Sequence, residues 1–179
     1  LFDGVSRSSQ PYRVQVSPSA VWIYAESFNS QDEAAKFCKD AGGSLAVPSN
    51  AVEAAELNQL LDRTLPYMAK WSYGSDADYL LWMGLKRGQD GSWGQNLQEL
   101  GNYTNWAAGQ PSKEKDHGCS VLAWLWTKKE ALWSGYICAW TNMALDAVCK
   151  LRPAVGPNPL ELPKGEGQLC ICGISWWRG

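Results

Sequence analysis

The chain has 179 residues, 45% of them apolar, which is enough for one sizeable core and too little for two full domains. Its 16 basic and 18 acidic residues are spread along the sequence and leave a formal charge of -2, so there is no electrostatic footprint for nucleic acid or for an anionic membrane surface. No apolar run approaches the roughly 18 to 20 residues of a bilayer span. The opening LFDGVSRSSQPYR lacks the charged and apolar regions of a signal peptide, and the chain reads as soluble, mature or trimmed.

Two strands are expected first, over YRVQV at 12–16 and AVWIYAES at 20–27. A capping box at Ser30-Gln31-Asp32-Glu33 then opens a helix of about three turns, with Glu33 expected to reach back to Ser30. Its apolar stripe is Ala34, Ala35, Phe37 and Cys38, and Gly42-Gly43 ends it. SLAVPS reads as a short extended connection. Asn50 with Glu53 repeats the cap, and Leu57, Leu60 and Leu61 keep helical spacing up to Arg63. From Tyr79 the pattern changes to short apolar runs, YLLWMGLK, SVLAWLWT, ALWSGYIC and DAVCKLR, with GQDG and TKKE as turns. The sum is an α+β arrangement. Pro, Gly, Leu and Glu dominate from Pro153 to Gly167, which is linker chemistry and places a domain boundary near residue 152.

Six cysteines, without a CxxC and with a single histidine, point to disulfides in an oxidising compartment rather than to zinc. Cys38, WMGL at 82–85, NYTNW at 102–106, GQP at 109–111, Cys119, WSGYIC at 133–138 and VCKLRP at 148–153 occur in an order that resembles the C-type lectin-like domain family, in its shorter form. The resemblance covers residues 12–152. It implies a disulfide-linked α+β fold of two helices with antiparallel sheets and long loops, and bridges from Cys38 to Cys149 and from Cys119 to Cys138. Trp82, Trp106 and Trp133 match its core positions and are read as packing residues.

The same resemblance directs attention to a calcium and sugar site. Sugar-binding members carry a Glu-Pro-Asn or Gln-Pro-Asp triplet, an acidic residue shortly before the strand cysteine, and an Asn-Asp pair after the tryptophan. Here Gln110-Pro111-Ser112 lacks the carboxylate, His117 stands two positions before Cys119 with Asp116 one step off, and Ser134-Gly135 replaces the pair. Calcium takes six to eight oxygens, several of them anionic. A lone amide at Gln110 does not supply them, and neither a metal nor a cofactor is expected. Glu114 and Asp116 offer a weak rescue only if the loop folds back.

Ligand-binding candidates are therefore Gln110, Pro111, Ser112, Asp116 and His117 in the loop, together with Trp124 and Trp126, because SVLAWLWT is apolar on both faces and either the domain or a partner must cover each face. Cys170 and Cys172 are too close for an unstrained bridge to each other. With Trp176 and Trp177 they make the tail at 153–179 a docking element. Asn102-Tyr103-Thr104 is an N-glycosylation sequon. Asp116-His117 with a serine is the one triad the sequence leaves open, and a lone histidine in a charged loop beside a disulfide gives it little support, so no enzyme is expected. The expected function is extracellular, calcium-independent recognition of a protein partner. The alternatives are a carbohydrate-binding lectin with a modified site and a mineral- or matrix-binding structural protein.

Overall fold

The structure, a computed structural model, describes residues 13–65, 79–95, 98–99, 102–139 and 144–151. In chain order it contains β1 (Arg13–Val16), β2 (Val21–Phe28), α1 (Gln31–Asp40), β3 (Ser44–Leu45), α2 (Ala51–Thr64), β4 (Tyr79–Arg87), β5 (Trp93–Gln95), β6 (Gln98–Glu99), β7 (Cys119–Leu125), β8 (Glu130–Tyr136) and β9 (Leu145–Leu151). Both helices begin at the caps read from the sequence. Ser30 Oγ accepts from the Glu33 N–H at 3.2 Å and Asn50 Oδ1 from the Glu53 N–H at 3.0 Å. One detail is corrected: the Glu33 carboxylate accepts from the Asn29 N–H at 2.9 Å, while Ser30 forms an isolated bridge to Ala139. After α1 the chain turns sharply, with the Gly43 N–H donating to the Cys38 carbonyl at 2.9 Å. A Cβ at Gly43 would stand 2.5 Å from the Lys150 carbonyl oxygen, so a side chain there would push β3 off β9.

The nine described strands join one sheet, with β9 between β2 and β4, and β7 and β8 continuing beyond β4. β9 pairs antiparallel with β2, from Val21↔Leu151 to Phe28↔Leu145, but parallel with β4 at Leu81↔Asp146 and Trp82↔Ala147. The expected antiparallel sheets are thus corrected to a mixed one. Apolar periodicity reports which face of a strand is buried and carries no information about its direction. The short hairpin of β5 and β6, two to three residues a strand, was too brief for an alternation to register.

Two apolar clusters fill the space on the two faces of this sheet. Trp22, Leu57, Leu61, Leu81, Leu122, Trp124 and Trp133 belong to the cluster that includes α2; Phe28, Ala34, Cys38, Trp82, Val121 and Ala147 belong to the one that includes α1. Residues adjacent along β4 and β7 alternate between the clusters. This is the physical reason that SVLAWLWT is apolar on both sides: the domain covers both faces itself. The bridges implied by the resemblance are formed, Cys38–Cys149 between α1 and β9 and Cys119–Cys138 between β7 and the segment just past β8.

Among the described residues three carboxylates are buried: those of Glu53, which accepts from Ser49 Oγ at 2.8 Å and from Lys150 Nζ at 2.5 Å, of Glu56 and of Asp146. Glu56 accepts from Ser17 Oγ at 2.6 Å, from Ser19 Oγ and from Trp22 Nε1 at 3.3 Å, tying α2 to the β1–β2 hairpin. Asp146 accepts from the Tyr24 and Tyr79 hydroxyls and from the Ser27 N–H at 3.0 Å. Burial, followed by the neighbouring Asp146 charge, pushes the Tyr24 phenol far above its ordinary range. Trp71, Cys170, Cys172, Trp176, Trp177 and the tail from residue 153 lie outside the described residues.

Candidate functional site

The loop that carries the candidate residues is laid down along β8. The Trp133 N–H donates to the Asn105 carbonyl at 2.8 Å and the Ala107 N–H to the Trp133 carbonyl at 2.9 Å, so Trp106 runs beside Trp133 as a parallel bridge. The Gln110 N–H then closes a turn onto the Ala107 carbonyl at 2.9 Å, and the Gln110–Pro111 peptide is cis. Gln110 Oε1 accepts from the Gly135 N–H at 2.9 Å. At Gly135 an added Cβ would meet the Cβ and backbone nitrogen of Ser112, both at 3.0 Å, so the triplet rests directly on the strand.

This contact tests whether calcium fits. The one useful amide oxygen, that of Gln110, is already turned onto the backbone of β8. The space where a longer side chain at position 135 would deliver oxygens is filled by Ser112. With Ser134 and Gly135 at the strand positions and Ser112 in the triplet, the anionic oxygens that calcium needs are not assembled, and the residues present do not fit that ion.

Beneath the loop lies a run of edge-to-face aromatics. Trp106 is 5.3 Å from Trp93 and 5.6 Å from Trp133, and Tyr103 is 5.8 Å from Trp133, measured between ring centroids. Trp133 is buried, as read from the sequence, whereas Trp93, Tyr103 and Trp106 keep part of their surface in solvent. In the sequon, Asn102 and Thr104 are exposed on either side of the half-buried Tyr103.

Past the triplet a second turn gathers charge. The Glu114 N–H donates to Ser112 Oγ at 3.2 Å and Arg87 Nη1 donates to the Glu114 carbonyl at 3.1 Å. The His117 N–H returns to that same carbonyl at 3.3 Å, and His117 Nε2 stands 3.2 Å from Glu114 Oε2. Asp116 completes a group whose donor atoms all lie within 4.8 Å of one another. Among the described residues no hydroxyl or thiol hydrogen-bonds to the imidazole, whose Nδ1 is shielded from solvent without a partner.

The structure therefore seats Gln110, Pro111 and Ser112 against β8 at Gly135 and gathers Asp116 and His117 in the turn that follows, while Trp124 and Trp126 pack into the cluster that includes α2. Trp124 is corrected to a core residue: it is 0% exposed, packed among the side chains of the cluster that includes α2, and not available to a partner. Its buried Nε1 has no acceptor. Trp126 is partly buried against Trp124, with ring centroids 6.1 Å apart. What sequence reasoning missed is Gly135, whose role is a backbone N–H and an absence of bulk, and neither has a sequence signal beyond the glycine itself. It also missed the outward valines of β1, Val14 at 52% and Val16 at 74% exposed, although the alternation of YRVQV carries them. A groove of about 700 Å³ between α1 and β4 is lined by Lys36, Lys39 and Lys86, of which Lys36 and Lys86 pair with Asp40 and Asp32.

The family model for the lectin C-type domain matches residues 27–151. Human lithostathine is similar in structure with a TM-score of 0.61 at 21% identity, covering 85% of this chain and 96% of that one. A Ca2+-independent C-type lectin, SPL-2 from Saxidomus purpuratus, gives 0.59 at 14% identity, with 77% and 90% covered. Ovocleidin-17, a major protein of the Gallus gallus eggshell calcified layer, gives 0.55 at 20%, with 78% and 96% covered. At these identities the likeness is one of fold. No curated protein sequence matches.

Proposed function

The chain belongs to the C-type lectin domain family, and from that premise we propose that it is an extracellular recognition module that works without calcium and whose partner is a protein in an extracellular or cell-surface assembly. The observation that carries the reading is the hydrogen bond from the Gly135 N–H to Gln110 Oε1, which uses for structure the oxygen that a sugar-binding relative would give to the ion. One structural neighbour is itself named as a Ca2+-independent lectin. A protein partner is supported by β1, which among the described residues pairs only with β2 and turns Val14 and Val16 outward.

The tail residues Cys170, Cys172, Trp176 and Trp177 extend this reading as a second docking element joined to the domain, residues 1–152, by the linker. Asn102 is an exposed acceptor for an N-glycan that would border the rim. No catalytic step enters the proposal. The glycan reading is favoured by one observation, the partly exposed Trp93, Tyr103 and Trp106, aromatic side chains of the kind that stack on sugars. A mineral-binding role, the setting that the name of ovocleidin-17 describes, calls for a carboxylate-rich face, and the near-balanced charge gives it no support.

Cross-linking of the full chain in native extracellular material, with and without a chelator, tests the proposal. A protein captured equally in both conditions, and lost on Val16→Lys, supports it. Glycan binding that a chelator abolishes would defeat both the calcium-independent reading and the account of Gln110. Binding to free oligosaccharides that survives chelation and falls on Trp106→Ala would replace the protein reading with the glycan one.

A further inference from the structure

The charged turn that follows the triplet places three donors of a different character from those calcium selects. The carboxylates of Glu114 and Asp116 and the imidazole of His117 all present ligand atoms within 4.8 Å of one another. Glu114 Oε2 and His117 Nε2 are 3.2 Å apart. Two donors on one tetrahedral zinc, at the usual bond lengths of roughly 2.0 to 2.2 Å, are separated by about 3.3 to 3.5 Å. This pair already stands close to the spacing of two corners of that tetrahedron.

The imidazole presents one edge to the carboxylates. Its Nδ1 edge is shut off from solvent and has no hydrogen-bond partner, and its ring packs near Tyr136 with centroids 6.2 Å apart. Only the Nε2 edge faces the carboxylates. If the neutral ring carries its proton on Nδ1, the Nε2 lone pair confronts the Glu114 oxygen across 3.2 Å, a repulsion that a cation between them converts into two bonds. With the proton on Nε2 the ring faces Glu114 as a donor instead, and Nδ1 is unpartnered in either tautomer.

We infer that Glu114, Asp116 and His117 form a three-ligand site for a borderline divalent transition metal, with zinc as the best match, and that its remaining coordination position is open to water or to a donor from a bound partner. Imidazole with two carboxylates is a zinc-type donor set, whereas calcium takes six to eight oxygens and gains little from a nitrogen. Its donor set differs from that of the calcium site of sugar-binding relatives: His117 stands at the place of one acidic ligand of that site, but Gln110 is tied to Gly135 and no β8 side chain is among the three donors. Lys113 and Lys115 flank the turn, and the buried Nδ1 lacks the hydrogen-bonded support that strengthens metal-bound histidines, so the dissociation constant is expected on the order of micromolar rather than nanomolar.

The test is isothermal titration of tag-free, full-length, metal-stripped protein with zinc chloride and, in parallel, with calcium chloride. The expected result is one zinc bound per chain with no calcium heat, at least tenfold weaker binding in His117→Ala, and several-fold weaker binding in Glu114→Gln and Asp116→Asn. All three side chains lie on a surface turn, and circular dichroism checks that each variant is folded. Cys170→Ser with Cys172→Ser in the full chain should leave the titration unchanged. Absence of zinc binding tighter than about 100 µM, equal competition by calcium, or binding that survives His117→Ala and disappears with the two cysteines would overturn the assignment.

Discussion

The interior and the rim of this domain treat their polar groups in opposite ways. In the interior, Glu56 and Asp146 are each surrounded by hydroxyl, indole or backbone donors, and their function ends there: they hold α2 to the first hairpin and β9 to its neighbours. At the rim the amide of Gln110 is tied to β8, while the carboxylates of Glu114 and Asp116 remain at the surface. The number of polar residues is therefore a poor guide to the site. What marks it is unused ligating capacity, which the rim retains and which the interior, Trp124 Nε1 apart, gives up to hydrogen bonds.

The largest way to test the contrast is to unstaple the interior. In the loop-entropy description, removing Cys38–Cys149, which spans 111 residues, should destabilise the domain by about 5 kcal/mol, and removing Cys119–Cys138, which spans 19 residues and borders the rim, by about 3 kcal/mol. Urea unfolding of the paired alanine variants measures both; a reversed order would mean that the rim bridge holds more of the structure than its loop length implies.

Next come the two neighbouring tryptophans of SVLAWLWT. Trp124→Ala should cost about 3–5 kcal/mol in the same assay, and Trp126→Ala about 1–2 kcal/mol, because only the first is fully enclosed. A refinement follows from the indole nitrogens. Trp22 Nε1 donates to Glu56 whereas Trp124 Nε1 has no acceptor, so Trp22→Phe should be worse than Trp124→Phe by about 1 kcal/mol. Equal costs would show that the bond to Glu56 adds nothing.

At the rim the expected effects shrink. Gly135→Ala forces Ser112 to move by a few tenths of an ångström and should cost about 1–2 kcal/mol; Gln110→Ala removes one half-buried hydrogen bond and should cost about 1 kcal/mol. Both should accelerate amide exchange at Gly135 without reaching β2 or β9. Spread of the change into those strands would erase the distinction between the regions.

Acid gives the finest comparison, on α2 itself. Burial alone would raise the carboxyls of Glu53 and Glu56, but hydrogen bonds from Lys150 and Ser49 to the first, and from Ser17, Ser19 and Trp22 to the second, hold both below the ordinary range. A carboxyl depressed in the folded state adds stability that is fully present above its unfolded pKa, about 4.3, and is lost as pH falls through the lower folded value. Urea midpoints followed from pH 6 to pH 3 should fall in that lower window, and Glu56→Gln should flatten the fall.

Much of the fold could be read directly. The Ser30 and Asn50 caps placed both helices because capping is local chemistry, and the order of Cys38, Cys119, Cys138 and Cys149 among the aromatic landmarks carried the family and both bridges. The candidate loop was legible as a set of residues, Gln110 to His117, and as a departure from the calcium pattern. The parallel pairing of β4 with β9, the burial of Trp124 and the seat of Ser112 on Gly135 were not, since each depends on a segment distant in sequence.

By itself, then, the sequence determined both helices and the longer strands, the caps, the cysteine framework and the want of anionic ligands, all of which are written in residue type and short spacing. Only the tertiary structure decided that both faces of β7 are covered from within, that Gln110 gives its oxygen to a backbone N–H, and that Glu114, Asp116 and His117 converge. The physical reason is that burial and the pairing of polar groups are set by whatever folds against them, and an apolar or charged side chain carries no record of its eventual neighbour.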